Sequence, residues 1–132
     1  GVSTATDITG FGLIGHLHEV LAASKCAARL HAQRVPFFEE AILLADNDLI
    51  PGGTRANEKS YASFVEWAGG VTDTEKVLMN DAQTSGGLLI FVPRERKDQL
   101  VDALQSESIL AAHIGDVLET TPPGEKRIFV AR

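Results

Sequence analysis

A carboxylate, two hydroxyls and three glycines crowd into Thr6-Asp7-Ile8-Thr9-Gly10-Phe11-Gly12-Leu13-Ile14-Gly15, just ahead of and inside an apolar-periodic stretch. Free N–H groups at a helix N-terminus favour anions, and glycines let a ligand come close to the backbone. Asp7 is a suitable ligand for a hard cation such as Mg2+, which takes one or two carboxylates together with phosphate oxygens. The same residues also fit a plainer role, with Asp7 and Thr9 capping a helix and the glycines allowing tight packing. The residue types leave both readings open. The Gly-x-Gly-x-x-Gly spacing of Gly10, Gly12 and Gly15 lacks the preceding strand and downstream acid of a dinucleotide site.

Two further segments are too polar or too small for a core. Asn80-Asp81-Ala82-Gln83-Thr84-Ser85-Gly86-Gly87 stands directly before an apolar run, and Gln83, Thr84 and Ser85 are candidate cleft residues there. Pro51-Gly52-Gly53-Thr54 reads as a turn, with Asn57 as a helix cap beyond it. His16 and His18 are two apart and share no helical face, so they make no i, i+4 metal pair. His31 and His113 are isolated in sequence. Ser85 has no Gly-x-Ser-x-Gly setting. Cys26 is the single cysteine and reads as a small buried hydrophobe rather than a nucleophile.

These segments need elements to hold them. Leu13, Ile14, Leu17, Val20 and Leu21 predict a helix over residues 10–23, with Thr9 at its N-cap. Residues 26–32 read as a strand, 37–45 as a helix and 72–79 as a short helix with Val77 and Leu78 inward. Tyr61, Phe64, Val65 and Trp67 fall in a short helix or irregular segment. Leu88-Leu89-Ile90-Phe91-Val92, between Gly87 and Pro93, predicts a strand buried on both faces. Residues 95–105 form an amphipathic pattern with Leu100, Val101 and Leu104 inside. Strands over 112–118 and 127–131, separated by Thr121-Pro122-Pro123-Gly124, predict an antiparallel hairpin. The sum is an α/β or α+β domain with a mixed β-sheet flanked by helices.

The chain has 132 residues, enough for one core, and shows no repeat and no linker that would split it, so residues 1–132 are expected to form one domain. Apolar residues make up 44% and charged residues 23%, the mix of a globular protein. A net charge of −6 argues against a nucleic-acid or membrane-surface binder, both of which need a basic face. No apolar run approaches the roughly 20 residues that span a bilayer, and nothing resembles a signal peptide. A cytoplasmic protein is expected. The chain enters its first motif at once and without a Met, as a domain drawn from a longer protein would.

Taken together, three segments resemble the selenophosphate synthetases (selenide, water dikinases) in order and approximate spacing. They are Thr6-Asp7-Ile8-Thr9-Gly10-Phe11-Gly12-Leu13 with Gly15-His16, Gly52-Gly53-Thr54 with Asn57, and Asp81 with Gln83-Thr84-Ser85-Gly86-Gly87-Leu88-Leu89. Ile114-Gly115 with Val117 fits that family's late strand, and Ala82 departs from its usual proline. The resemblance implies the C-terminal domain of a two-domain enzyme in the aminoimidazole ribonucleotide synthetase-like superfamily, with partial ferredoxin-like topology. It implies formation of selenophosphate, AMP and phosphate from selenide, ATP and water, with Mg2+, for selenocysteine and selenouridine synthesis. It assigns Asp7 to the Mg2+ ions that bridge the ATP phosphates, points to Thr9, Gly10 and Gly12 as the lining of the phosphate site, and places the catalytic Cys or selenocysteine in an N-terminal half outside this chain. No catalytic residue falls in residues 1–132, and Cys26 does not match the catalytic position. The partners implied are that N-terminal domain and, for the full-length protein, a second copy in a homodimer. Two other readings compete: another ATP-dependent enzyme of the superfamily, or a scaffold domain without chemistry.

Overall fold

The computed structural model describes residues 1–119 and 122–132. Its elements are β1 (Thr4–Asp7), α1 (Gly12–Ser24), β2 (Ala28–His31), α2 (Glu39–Asp46), α3 (Gly52–Tyr61), β3 (Val65–Trp67), α4 (Asp73–Met79), β4 (Leu88–Phe91), α5 (Lys97–Ser106), β5 (Gly115–Val117) and β6 (Ile128–Ala131), with single 3-10 turns at 32–34, 62–64 and 94–96. The expected α/β class and mixed sheet are both present. A four-stranded sheet has the order β3-β6-β2-β5, with β6 parallel to β2 and β3, and β5 antiparallel to β2. A separate two-stranded sheet joins β1 to β4, antiparallel, with Thr4 opposite Phe91 and Asp7 opposite Leu88.

One face of the four-stranded sheet is apolar. Ala28, Leu30, Val65, Ile128 and Val130 alternate with outward residues such as Arg29, Glu66 and Phe129, as the period of two requires. Ile14, Leu17 and Leu21 of α1 are fully buried in the same cluster, as is Met79 of α4. Each such side chain contributes on the order of 1.5–3 kcal/mol relative to exposure. Helix α1 ends in a Schellman arrangement: Lys25 sits in the left-handed region at φ 55°, and the Cys26 N–H reaches the Leu21 carbonyl at 3.0 Å. Helix α4 begins with a capping box, Thr72 accepting from the Glu75 N–H while the Glu75 carboxylate accepts from the Thr72 N–H.

Several expectations are corrected. The 115–117 and 128–131 strands do not form a hairpin: β6 inserts between β3 and β2, and β5 takes the far edge of β2. Thr121 of the expected turn lies outside the described residues. Strand β4 is not buried on both faces: it pairs with β1 in a two-stranded sheet, and Leu88 is 62% exposed. Pro51-Gly52-Gly53-Thr54 is not a free turn: Pro51 stands at the N-cap and the glycines form the first turn of α3. Leu100, Val101 and Leu104 are only half-buried on α5. Helix α1 starts at Gly12 rather than residue 10, with Phe11 at the N-cap, and Thr9 does not cap it. Cys26 is half-buried against the core, not enclosed by it.

On the flank of α1 that faces α3, the His18 ring stacks on Phe64, with centroids 4.0 Å apart, and lies 5.8 Å from Tyr61. Its Nδ1 is buried with no hydrogen-bond partner. Burial, followed by the positive charge of Arg127, holds the His18 pKa below its ordinary 6.5, with Glu19 opposing more weakly. A histidine with a depressed folded-state pKa takes up its proton more readily when unfolded, so acid favours the unfolded chain. Stability is therefore expected to be whole above the ordinary value of 6.5 and to fall as pH drops below it. His18→Phe, which keeps the stack, should flatten that acid-side slope in melting temperature. Parallel pH profiles for variant and wild type would refute the assignment.

Candidate functional site

The three polar segments singled out in the sequence meet at one place. Strand β1 delivers Asp7 to its end, and the chain then crosses Ile8–Phe11 before entering α1. The 80–87 loop enters β4 alongside, held to β1 by backbone bonds: Ile8 N–H to Gly87 O at 2.8 Å, Gly86 N–H to Ile8 O at 3.0 Å, and Gln83 N–H to Thr9 O at 3.1 Å. Helix α3 supplies the third side. Asn57, only 8% exposed, donates its amide to the Gly10 carbonyl at 2.9 Å and to the Asn80 carbonyl at 3.0 Å. One turn earlier the fully buried Thr54 donates to Asp81 Oδ1 at 2.6 Å and accepts from the Ala82 N–H at 3.2 Å. A hydroxyl can do both at once, having one hydrogen and two lone pairs.

Two glycines are required by this closure. Gly12 has φ +67°, and a Cβ there would lie 2.7 Å from the Asn80 carbonyl carbon and 2.9 Å from the Asp81 oxygen. A Cβ on Gly86 would lie 2.2 Å from the Ile8 oxygen. Gly12 is thus buried against the 80–81 backbone. Gly10 is the opposite case: it is exposed, and a Cβ there would meet nothing within 4 Å.

Above this base stands Asp7. Its carboxylate is exposed and has no hydrogen-bond or ion-pair partner among the described residues. It caps nothing, since α1 begins five residues later and Phe11 holds the N-cap. Thr9 is half-buried, its Oγ1 lying 3.1 Å from His16 Nε2. Gln83 is half-buried, with Thr84 and Ser85 exposed on the same loop. No group of three or more His, Cys, Asp or Glu side chains suited to a metal occurs among the described residues. A lone exposed carboxylate does not make an all-protein metal cage. Among the described residues no helix is long and apolar enough to cross a membrane.

The profile of the AIR synthase related protein, C-terminal domain, matches residues 1–124. The chain belongs to this family. Curated relatives include proteins named selenide, water dikinase from Carboxydothermus hydrogenoformans, 44% identical over 87% of the chain, and Pelobacter propionicus, 44% identical over 89%. The relative of the same name from Myxococcus xanthus is 37% identical over 92% of the chain. The chain spans about a third of the length of these relatives: 33%, 34% and 34% respectively. The resemblance read from the three motifs therefore holds across nearly the whole AIR synthase related domain.

Sequence reasoning missed the parts that tie this domain's site together. Asn57 is not a helix cap but an interior strut, and the signal available was a Thr and an Asn three residues apart on one face of a helix. Strand β1 was missed because only Thr6 of its residues is even half-buried. Replacing Asn57 with Ala would leave the buried Asn80 carbonyl without a donor, whereas the Gly10 carbonyl, on an exposed residue, turns to water. A loss of about 1–3 kcal/mol is expected in chemical denaturation, the cost of one orphaned buried group. A change under about 0.5 kcal/mol would mean that water replaces the amide freely.

Proposed function

We propose that the chain is the C-terminal domain of a selenide, water dikinase, an enzyme that forms selenophosphate, AMP and phosphate from selenide, ATP and water. The observation that carries this reading is the position of Asp7, exposed and unpaired where the three motif segments converge. Kinship with relatives bearing that name supports it.

In this reading Asp7 contributes one carboxylate to Mg2+ bound with the ATP phosphates. A bound Mg2+ would neutralise phosphate charge and orient the leaving group. The lip of Thr9 and Gly10 lies against the polyphosphate, with open space over Gly10 allowing an oxygen to approach the backbone. Gly12 acts from beneath, letting the 80–81 backbone close against α1. Gln83, Thr84 and Ser85 form the opposite rim. Asn57 and Thr54 keep the two rims in register without touching substrate. The remaining metal ligands and the reactive Cys or selenocysteine belong to an N-terminal domain, which is this domain's partner in the complete, homodimeric protein. ATP and selenide are the small-molecule substrates, and the cytoplasm is the site of action.

One carboxylate and one lip supply only part of the charge that a polyphosphate transition state needs compensated. Residues 1–132 alone should accordingly fold yet show no selenide-dependent ATP hydrolysis, and measurable turnover by them would contradict the division proposed. In the full-length protein, Asp7→Asn should reduce Mg2+- and selenide-dependent conversion of ATP to AMP by about 100-fold or more, the scale of losing one transition-state electrostatic contact. Because the Asp7 carboxylate takes part in no hydrogen bond or ion pair among the described residues, the melting temperature of the variant should not move. Full activity in that variant would reduce the lip to a packing device, and absence of AMP from the wild type would rule out the reaction.

A further inference from the structure

We propose that the outer edge of β4 is a docking edge, which accepts an extended segment of the full-length protein from outside residues 1–132 as a third strand. The inference rests on the kinship and length of the relatives, not on the reaction proposed above. Strands β1 and β4 form a ribbon of two, separate from the four-stranded sheet. A two-stranded ribbon is marginal in water, and a third strand is its ordinary remedy. The direction of the free backbone groups follows from the register. The Ile8 N–H donates to the Gly87 carbonyl directly opposite it, in step with Thr6 opposite Leu89 and Thr4 opposite Phe91. Bonded and unbonded pairs alternate in an antiparallel ladder, so the N–H and C=O groups of Leu88 and Ile90 point away from β1. No hydrogen-bond partner meets them among the described residues.

Among the described residues β1, β3, β4 and β5 each have an open edge, and β4 differs from the others in chemistry. Strand β3 carries Glu66 at its centre, β5 carries Asp116 at its centre, and β1 ends on Asp7. A charge on an edge strand is a common guard against unwanted pairing. Strand β4 is Leu-Leu-Ile-Phe, with no charge and no proline, and its first residue is 62% exposed. The occupant it suits is an extended segment with apolar side chains at alternate positions and no charge where it meets Leu88 and Ile90. A second copy of this domain would bring another charge of −6 with it, and would pair only at the concentration of free protein. A segment of the same polypeptide is present at an effective concentration on the order of millimolar. The relatives carry about two-thirds of their length outside the part that matches this chain, so the tethered segment is the favoured occupant. Leu88 stands opposite Asp7 in the ladder and on the same face, so the added strand would bring the rest of the protein alongside the lip.

The test is hydrogen exchange in the full-length protein, resolved to single amides. The Leu88 and Ile90 N–H groups should exchange at least about 100-fold more slowly than an open amide, as the Leu89 N–H in the β1 ladder does. Leu88→Pro removes one outward donor at the first position of the strand, a place where a free edge tolerates proline. It should release the Ile90 amide and lower the melting temperature by several degrees, while the Leu89 amide stays protected. Wild-type Leu88 and Ile90 amides that exchange at the open rate would leave the edge free and overturn the proposal, whatever the variant does. Wild-type exchange at Ile90 and an unchanged melting temperature in Leu88→Pro would overturn it too. Protection that vanishes on dilution, or contacts between two β4 strands in a mixed-label sample, would give the edge to a second copy and refute it equally. The readouts are structural, so protection without any AMP formation would retire the proposed reaction and keep the docking edge.

Discussion

The side-chain amide of Asn57 is the contact on which the rest of the site depends. It reaches from the interior of α3 to carbonyls on two different segments, Gly10 after β1 and Asn80 after α4, the second of them buried. Without the amide the buried Asn80 carbonyl would lose its donor at a cost of about 1–3 kcal/mol, and the tie to Gly10 would be lost with it. Against a typical total stability of about 5–15 kcal/mol, one such orphan is a sizeable fraction. Thr54 performs the same service one turn away, joining Asp81 and the Ala82 N–H. A helix is well suited to this task, because residues three apart project along one face and can tie neighbouring points of a loop.

Once α3 fixes the two segments, close approach does the remainder. The 80–81 backbone lies so near Gly12 that no side chain could stand there, and Gly86 abuts the Ile8 carbonyl in the same way. The lip is therefore rigid from below and open above, with Gly10 unobstructed and Asp7 unpaired. Such a division between an over-determined base and an unsatisfied rim is what pre-organisation requires. Groups meant to meet a ligand keep their bonding capacity, while the groups that position them have spent theirs on the protein.

How much of this was legible in the sequence depended on whether the deciding force was local. Helices α1, α2 and α4 were found close to their true bounds, because their apolar spacing and caps lie within a dozen residues. The polar character of the three segments was equally visible, but it pointed away from the interior, where Thr54, Asn57 and Asn80 in fact lie buried. What failed was non-local. Strand β1 has no apolar face of its own and exists through its ladder to β4, more than eighty residues away. The Pro-Gly signal near residue 123 argues for local pairing, yet β6 gains more by inserting between β2 and β3, where Ile128 and Val130 are almost fully buried. The glycines of α3 have poor helix propensity, and the helix stands nonetheless, with Thr54 and Asn57 anchored by tertiary bonds. Thr9 looked like a cap because caps are the commonest use of such a residue; its engagement by His16, seven positions on, has no signature at the sequence level.

The charge of the chain bears on how an anionic ligand would reach this lip. With a net charge of −6, the domain has no long-range field to draw in a polyphosphate. Under the proposed function, recognition there would be short-ranged and would work through a counter-ion: the unpaired Asp7 carboxylate would attract the cation, and the cation would carry the phosphates. The negative charge of the chain and the exposed carboxylate at the lip are then compatible with an anionic ligand only when a cation accompanies it.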